Sequence, residues 1–261
     1  MNILVLGGSR FFGKQLVRRL VDDGHEVTVA TRGFQKLDEL KKKVRHAIVD
    51  RSDWDSMKGA FSGRSYDVIY DQIAFNAQDA KIAVDLFTGR VNRYVFTSTM
   101  AVYDGREEIL DERAFDPIDY KVDLTMDRFM YGLSTDRAMY KEGKRQAEAY
   151  LYQNATFPVV AVRPPFVISH EDDYTGRFMF HVHKIVNCEP ISLVGSSPVS
   201  FVSAAELAEF LEYAGTNSDF KGPVNASNTG WLDSEQLSRK IGDLLGVPRF
   251  LVTDRRNLPF A

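Results

Sequence analysis

The sequence holds one cysteine, Cys188, in 261 residues, so no internal disulfide can form and a reducing cytoplasm is the expected setting. No apolar run approaches the ~20 residues that a membrane-spanning helix needs, and the start MNILVLGGSRFFG lacks the basic flank and small-residue cleavage site of a signal peptide. Positive charge is not in excess: 33 Lys and Arg stand against 36 Asp and Glu, a formal net charge of −3. Such a chain has no overall field to hold a polyanion by counterion release, so nucleic acid is not an expected partner. Repeats and low-complexity tracts are missing as well. His181-x-His183 lies near Cys188, but histidines two apart on a helix point to different faces, and no second cluster completes a tetrahedral set, so no metal is expected.

What is present is an ordinary globular balance, 44% hydrophobic and 26% charged, enough to bury a sizeable core. Asn2 to Leu6 is a continuous apolar run, the pattern of a strand buried on both faces. Phe12, Leu16, Val17, Leu20 and Val21 follow at helical spacing, and Gly24 suits a helix end. The alternation continues with strands at Glu26–Thr31, Val44–Val49, Asp67–Tyr70, Arg93–Ser98 and Pro158–Ile168, and helices at 34–43, 76–88 and 135–154. This rhythm predicts an α/β fold, a doubly wound parallel sheet of Rossmann type, over residues 1–168. Residues 169–261 mix short strands (Ile191–Val194, Val224–Ala226, Phe250–Val252) with helices at 176–187, 203–214 and 233–245, which reads as a smaller substrate-side lobe with some segments returning to the main sheet. Lys41 to Lys43 reads as a solvated helix end, and Glu171-Asp172-Asp173 as the start or cap of a helix.

Gly7-Gly8-Ser9-Arg10-Phe11-Phe12-Gly13 lies between the first strand and the first helix, the context in which a glycine turn lets backbone N–H groups and the positive helix end face a pyrophosphate. Thr31 and Arg32 stand at the end of strand two, where an acid would bind the ribose 2′-hydroxyl of NAD. Arg10 and Arg32 would attract a 2′-phosphate, so NADP(H) is favoured, with NAD left open. Tyr140 and Lys144 are four apart and share a helix face. A nearby ammonium lowers a phenol's pKa and makes it a usable acid/base.

These segments resemble the extended and atypical short-chain dehydrogenase/reductase superfamily, the NAD-dependent epimerase/dehydratase group. The glycine turn is similar to its GxxGxxG loop, with Arg10 in the slot of the middle glycine. Phe96-Thr97-Ser98-Thr99-Met100-Ala101-Val102-Tyr103 is similar to its fifth-strand segment ending in Val-Tyr, and Arg163-Pro164-Pro165-Phe166 to the stretch lining nicotinamide and substrate. The resemblance implies a catalytic triad in which Thr99 orients a substrate oxygen, Tyr140 moves the proton, and Lys144 tunes it. It implies cofactor contacts from Gly7, Ser9, Arg10, Phe11, Phe12, Gly13, Arg32, Asp50, Arg51, Ile73, Ala74, Thr97, Tyr140, Lys144 and Pro165. Substrate contacts would come from Thr99, Tyr103, Phe166 and Arg177.

Phe166 replaces the asparagine of many nucleotide-sugar enzymes and Ser169-His170 replaces Gly-Pro, which weakens the sugar-nucleotide reading. Phe201 to Ala208 is similar to the group's "HV-D-A" segment at the cleft rim. The implied activity is hydride transfer at an alcohol or carbonyl carbon of a small or nucleotide-linked molecule. A non-catalytic or RNA-binding relative is the alternative, since the glycine loop and the Thr-Arg-Gly after strand two also resemble the chloroplast stem-loop RNA-binding branch, and a redox-sensing regulator is a third. Relatives often dimerise through the helices that correspond to 76–88 and 135–154, although monomers occur in the atypical branch.

Overall fold

A computed structural model of the chain describes residues 1–35, 37–103, 109–129, 136–192, 197–247 and 251–252. In order these are β1 (Asn2–Leu6), α1 (Phe11–Asp22), β2 (Glu26–Thr31), a 3-10 turn (Asp38–Lys42), β3 (Arg45–Ile48), α2 (Trp54–Phe61), β4 (Tyr66–Asp71), α3 (Ala77–Phe87), β5 (Val91–Thr97), α4 (Arg137–Asn154), β6 (Val159–Arg163), β7 (Phe166–Ile168), α5 (Arg177–Val186), β8 (Ile191–Ser192), β9 (Phe201–Ser203), α6 (Ala204–Thr216), β10 (Gly222–Asn225), α7 (Ser234–Leu245) and β11 (Leu251–Val252). Seven strands form one sheet in the order β10-β6-β5-β4-β1-β2-β3, every pairing parallel. This is the Rossmann-type arrangement that the sequence rhythm predicts.

Both faces are covered, which is why the central strands are nearly continuous apolar runs. On one face, Leu16, Val17 and Leu20 of α1 and Leu207 and Leu211 of α6 pack on Val5, Val29, Val160 and Val162. On the other, Met57 and Phe61 of α2, Ala83 and Phe87 of α3, and Ala147 and Leu151 of α4 pack on Leu4, Leu6, Ile69 and Phe96. Each such large side chain contributes roughly 1.5–3 kcal/mol relative to exposure. The order reverses at β1 and β4, whose following helices leave toward opposite faces, so a crevice opens above their carboxyl ends. Outside the sheet, α5 and α7 enclose a small cluster of Ile185, Ile191 and Ile241.

The chain departs from the expected pattern in several places. The helix expected at 34–43 is only a 3-10 turn from Asp38 to Lys42. Its one apolar anchor is a pair, Leu37 and Leu40, too short a stripe to hold longer helix against the sheet. The strand expected at Pro158–Ile168 is two strands: Pro164 and Pro165 lack amide donors, so β6 ends at Arg163 and β7 pairs with β9 in a separate two-stranded sheet. Helix α2 was not expected. Its signals are Asp53, whose side chain accepts from Ser56 N, and Met57 and Phe61 buried four apart. Thr135, Val194 and Phe250 lie outside the described residues. Among the described residues, no helix is long and apolar enough to cross a membrane.

Candidate functional site

The turn after β1 requires glycine twice over. Gly7 and Gly8 have φ of 97° and 103°, open to glycine at little strain. A Cβ on Gly13 would lie 3.1 Å from Gly8 Cα and 2.2 Å from Gln72 Oε1, so any other residue would push the Gln72 side chain aside and crowd the turn. The N-cap residue of α1, Arg10, makes no side-chain capping bond. Its place is taken from 161 residues away: Asp172 Oδ2 accepts from Phe11 N at 3.2 Å. Arg10 sits 3.8 Å from Asp172 and its guanidinium lies 4.4 Å from the Tyr174 ring centroid. The acidic run therefore does more than open the next helix. Asp172 caps α1, while Asp173 accepts from Thr175 N and Oγ1 in the turn before α5. Ser9 is half-buried beside this turn, Phe12 packs against the α1 core, and Ile73 Cγ2 lies 3.3 Å from the place a Gly7 Cβ would take.

At the end of β2, Thr31 Oγ1 meets His46 Nε2 at 2.8 Å and accepts from Gly33 N at 3.1 Å. Arg32 is exposed, 5.1 Å from the Phe34 ring centroid. Asp50 accepts from Ser52 N and Oγ. That hydroxyl, aided by the Arg32 and Arg128 charges, holds the Asp50 carboxyl below its ordinary value. Arg51, expected among the cofactor contacts, is turned inward instead. It is buried, with Nε and Nη2 on Asp71 Oδ2 at 2.9 and 2.5 Å and Nη2 on Asp79 O. Tyr94 also donates to Asp71. The side chain is a strut at the end of the central strand β4, because the buried carboxylates of Asp71 and Asp79 need a cation there.

Tyr140 and Lys144 stand one turn apart on α4 and both pack on the Phe75 ring, with Thr99 following the end of β5. Thr99 caps a short 3-10 turn, Met100–Val102, its hydroxyl accepting from Ala101 N at 3.1 Å. The Tyr140 ring packs 5.3 Å from Phe129 and 6.2 Å from Phe75. Burial pushes its phenol above the ordinary value, while the Thr99 hydroxyl and the Arg177 charge pull it back down. Lys144 Nζ donates to Ala74 O and Thr97 O, both at 2.8 Å, and lies 4.5 and 4.9 Å from the Phe75 and Phe96 rings. Burial pulls its ammonium down to about 8. Gly143 makes this approach possible, since a Cβ there would come 2.3 Å from Phe75 O. Phe75 and Phe129 carry no sequence signal for this role. Only the fold brings them to Tyr140.

On the substrate side, the Tyr103 hydroxyl already has two partners. It donates to Asn225 Oδ1 at 2.6 Å and accepts from Arg163 Nη1 at 3.0 Å. Arg163 is itself fully buried and pairs with Glu148, which also takes Ser98 Oγ at 2.6 Å. These groups brace the ends of β5 and β6, and Tyr103 belongs to them because it leaves Arg163 no unsatisfied direction on that side. Phe166 is half-buried with Arg177 stacked 5.1 Å from its centroid. Pro165 is half-buried at the same edge.

The crevice thus has three features suited to a dinucleotide. The glycine cradle is tight at Gly13, its first helical amide already binds a carboxylate, and Thr97 Oγ1 and Gln72 Nε2 are buried at the strand ends without a partner.

Comparison with known proteins agrees with this geometry. The sequence profile of a family described as NAD(P)H-binding matches residues 7–184. A curated relative, the chloroplast stem-loop binding protein of 41 kDa b from Arabidopsis thaliana, is 32% identical over 131 residues, 44% of this chain. The chain spans about a third (34%) of that relative's length. Solved structures share the fold at low identity. The Thermus thermophilus UDP-glucose 4-epimerase complex with NAD has TM-score 0.71 at 18% identity, covering 97% of this chain and 86% of its own. The Bordetella bronchiseptica enzyme WbmG, in complex with NAD and UDP, has TM-score 0.74 at 17% identity, covering 97% and 81%. The Bacillus anthracis dTDP-glucose 4,6-dehydratase, with NAD, has TM-score 0.74 at 14% identity, covering 98% and 85%.

Proposed function

This chain belongs to the NAD(P)H-binding family, and from that premise we propose that it is an NADP(H)-dependent oxidoreductase or epimerase acting at an alcohol or carbonyl carbon of a small or nucleotide-linked molecule. What supports the reading is that Tyr140 and Lys144 stand one turn apart on α4 and share the Phe75 ring, with Thr99 acting on the Tyr140 phenol. When bound, the nicotinamide supplies two-electron chemistry. Gly7 to Gly13 would hold the pyrophosphate at the α1 amides. Arg32, exposed at the end of β2 where no carboxylate stands, would pair with a 2′-phosphate.

Tyr140 moves a proton to or from the substrate oxygen, and the Thr99 hydroxyl steadies that same oxygen. The Lys144 ammonium, held by two carbonyls one helical turn from Tyr140, would bind the cofactor ribose beside the phenol. Arg177, whose charge already reaches Tyr140, suits a phosphate or carboxylate on the substrate.

Titration of the full chain with NADPH and NADH, followed by intrinsic fluorescence, tests the cofactor. Tighter NADPH binding is expected, with Arg32→Ala weakening it by about tenfold and leaving NADH binding unchanged. Tyr140→Phe should lower turnover by about 10²- to 10⁴-fold with nucleotide affinity retained. Undiminished turnover in that variant would reject the catalytic assignment.

The stem-loop-binding relative supports a second reading, a nucleic-acid-binding protein without turnover. The formal net charge of −3 weighs against it. A salt-sensitive shift of a stem-loop RNA in a gel assay, together with no nucleotide binding, would favour that second reading.

A further inference from the structure

Residues 171–177 run from contacts with the start of α1 to the first residue of α5. Glu171 lies 3.7 Å from Arg18 on α1. Asp172 accepts the first amide of α1 and pairs with Arg10. Tyr174 lies under the Arg10 guanidinium and stands edge-on to Phe11, centroids 5.7 Å apart. At its other end, Arg177 stacks 5.1 Å from the Phe166 ring centroid and its charge acts on Tyr140. The segment has its own internal turn, with Thr175 and Gly176 amides on Asp173. It is bounded by Ser169, whose Oγ accepts from Glu171 N, and by Gly176 at φ 64°. The contacts to the glycine loop are shallow: the Arg10 and Asp172 side chains are 40% and 41% exposed.

We propose that residues 171–177 are a strap closing the dinucleotide crevice, in which the Asp172 carboxylate stands in for the pyrophosphate and is exchanged out when nucleotide enters. The inference rests on the dinucleotide reading above. Its physics is a competition between anions for one cradle. The orphan amides at the start of α1 and the Arg10 charge attract an anion in either state. A carboxylate brings a single charge, whereas a pyrophosphate brings two and more acceptor oxygens. The exchange therefore favours nucleotide, and the two anions repel each other, so the strap must leave rather than shift aside. Tyr174 and Arg177 travel on the same segment. Occupancy of the phosphate cradle is thereby transmitted to the surroundings of Tyr140. Because the competent state is only the open one, the apparent nucleotide affinity is reduced by the open fraction.

Calorimetric titration of the full chain with inorganic pyrophosphate, and separately with NADPH, tests this in the wild type and in Asp172→Asn. The variant should bind pyrophosphate about 3- to 10-fold more tightly. In the wild type, where no variant folding is at issue, amides of 169–176 should exchange with solvent faster at saturating pyrophosphate. Equal or weaker pyrophosphate binding by the variant, or exchange that is unchanged or slowed, would overturn the strap. Absence of pyrophosphate binding to both proteins would overturn it too, even if NADPH binds. A gain for pyrophosphate with no NADPH binding to either protein would leave the strap standing and remove the dinucleotide reading.

Discussion

The two ends of the crevice are held by opposite kinds of interaction. At the Tyr140 end, Lys144 is buried and fixed by two main-chain carbonyls, and the floor below it is a fully buried Arg163–Glu148 pair with Ser98 and Tyr103 attached. At the glycine-loop end, Arg10, Asp172, Arg18 and Glu171 meet at the surface with side chains 38–59% exposed. Buried charges that are fully partnered lock a single geometry, because releasing one partner strands the other in a low dielectric. Exposed pairs are screened and contribute little. The Tyr140 end is therefore preorganised, and the glycine-loop end is the one free to exchange partners.

The largest expected break in this contrast comes from the floor. Glu148→Ala leaves Arg163 buried without its anion and should destabilise the fold by about 3–5 kcal/mol, measured by urea unfolding at neutral pH. A loss below 1 kcal/mol would mean that the floor is not rigid in the sense argued.

Lys144 sharpens the comparison through pH. Burial lowers its folded-state pKa from 10.5 to about 8, so between those values the unfolded chain binds more protons than the folded one. Stability contributed by this group is then fully present above about pH 10.5 and is lost as pH falls through 8. The window is worth roughly 3 kcal/mol. The difference in unfolding free energy between the wild type and Lys144→Met, followed from pH 7 to 10, should change by that amount in the wild type's favour. A flat difference would place the ammonium in solvent.

The smallest effect belongs to the surface end. Arg18→Ala should change stability by less than about 1 kcal/mol, and the change should fade at 1 M salt. A larger, salt-insensitive loss in the same unfolding assay would make the strap a structural element and bring the two ends closer in kind.

Much of this was readable along the chain. The alternating runs that define β1 to β6 are local patterns, as is the glycine turn, because a strand buried on both faces needs a continuous apolar stretch and a tight phosphate turn needs glycine at fixed offsets. The four-residue spacing of Tyr140 and Lys144 is local too. Arg51 shows where this reading fails. Beside Asp50 in the sequence it looks like a cofactor contact, yet Asp71, twenty residues on, claims it in the core. The partners of Tyr103 were hidden for the same reason, since Asn225 and Arg163 come from strands far away in sequence.

Asp172 marks the boundary between the two kinds of information. The sequence by itself determined the alternation of strand and helix, the glycine cradle and the order of Thr99, Tyr140 and Lys144, all of which depend on periodicity and spacing within one or two elements. Only the tertiary structure decided which charges are paired in the core and which acidic side chain meets the α1 amides. A partner 161 residues away is chosen by where the backbone brings the two segments together, and the desolvation that makes such a choice binding exists only once the sheet and its helices have closed around it.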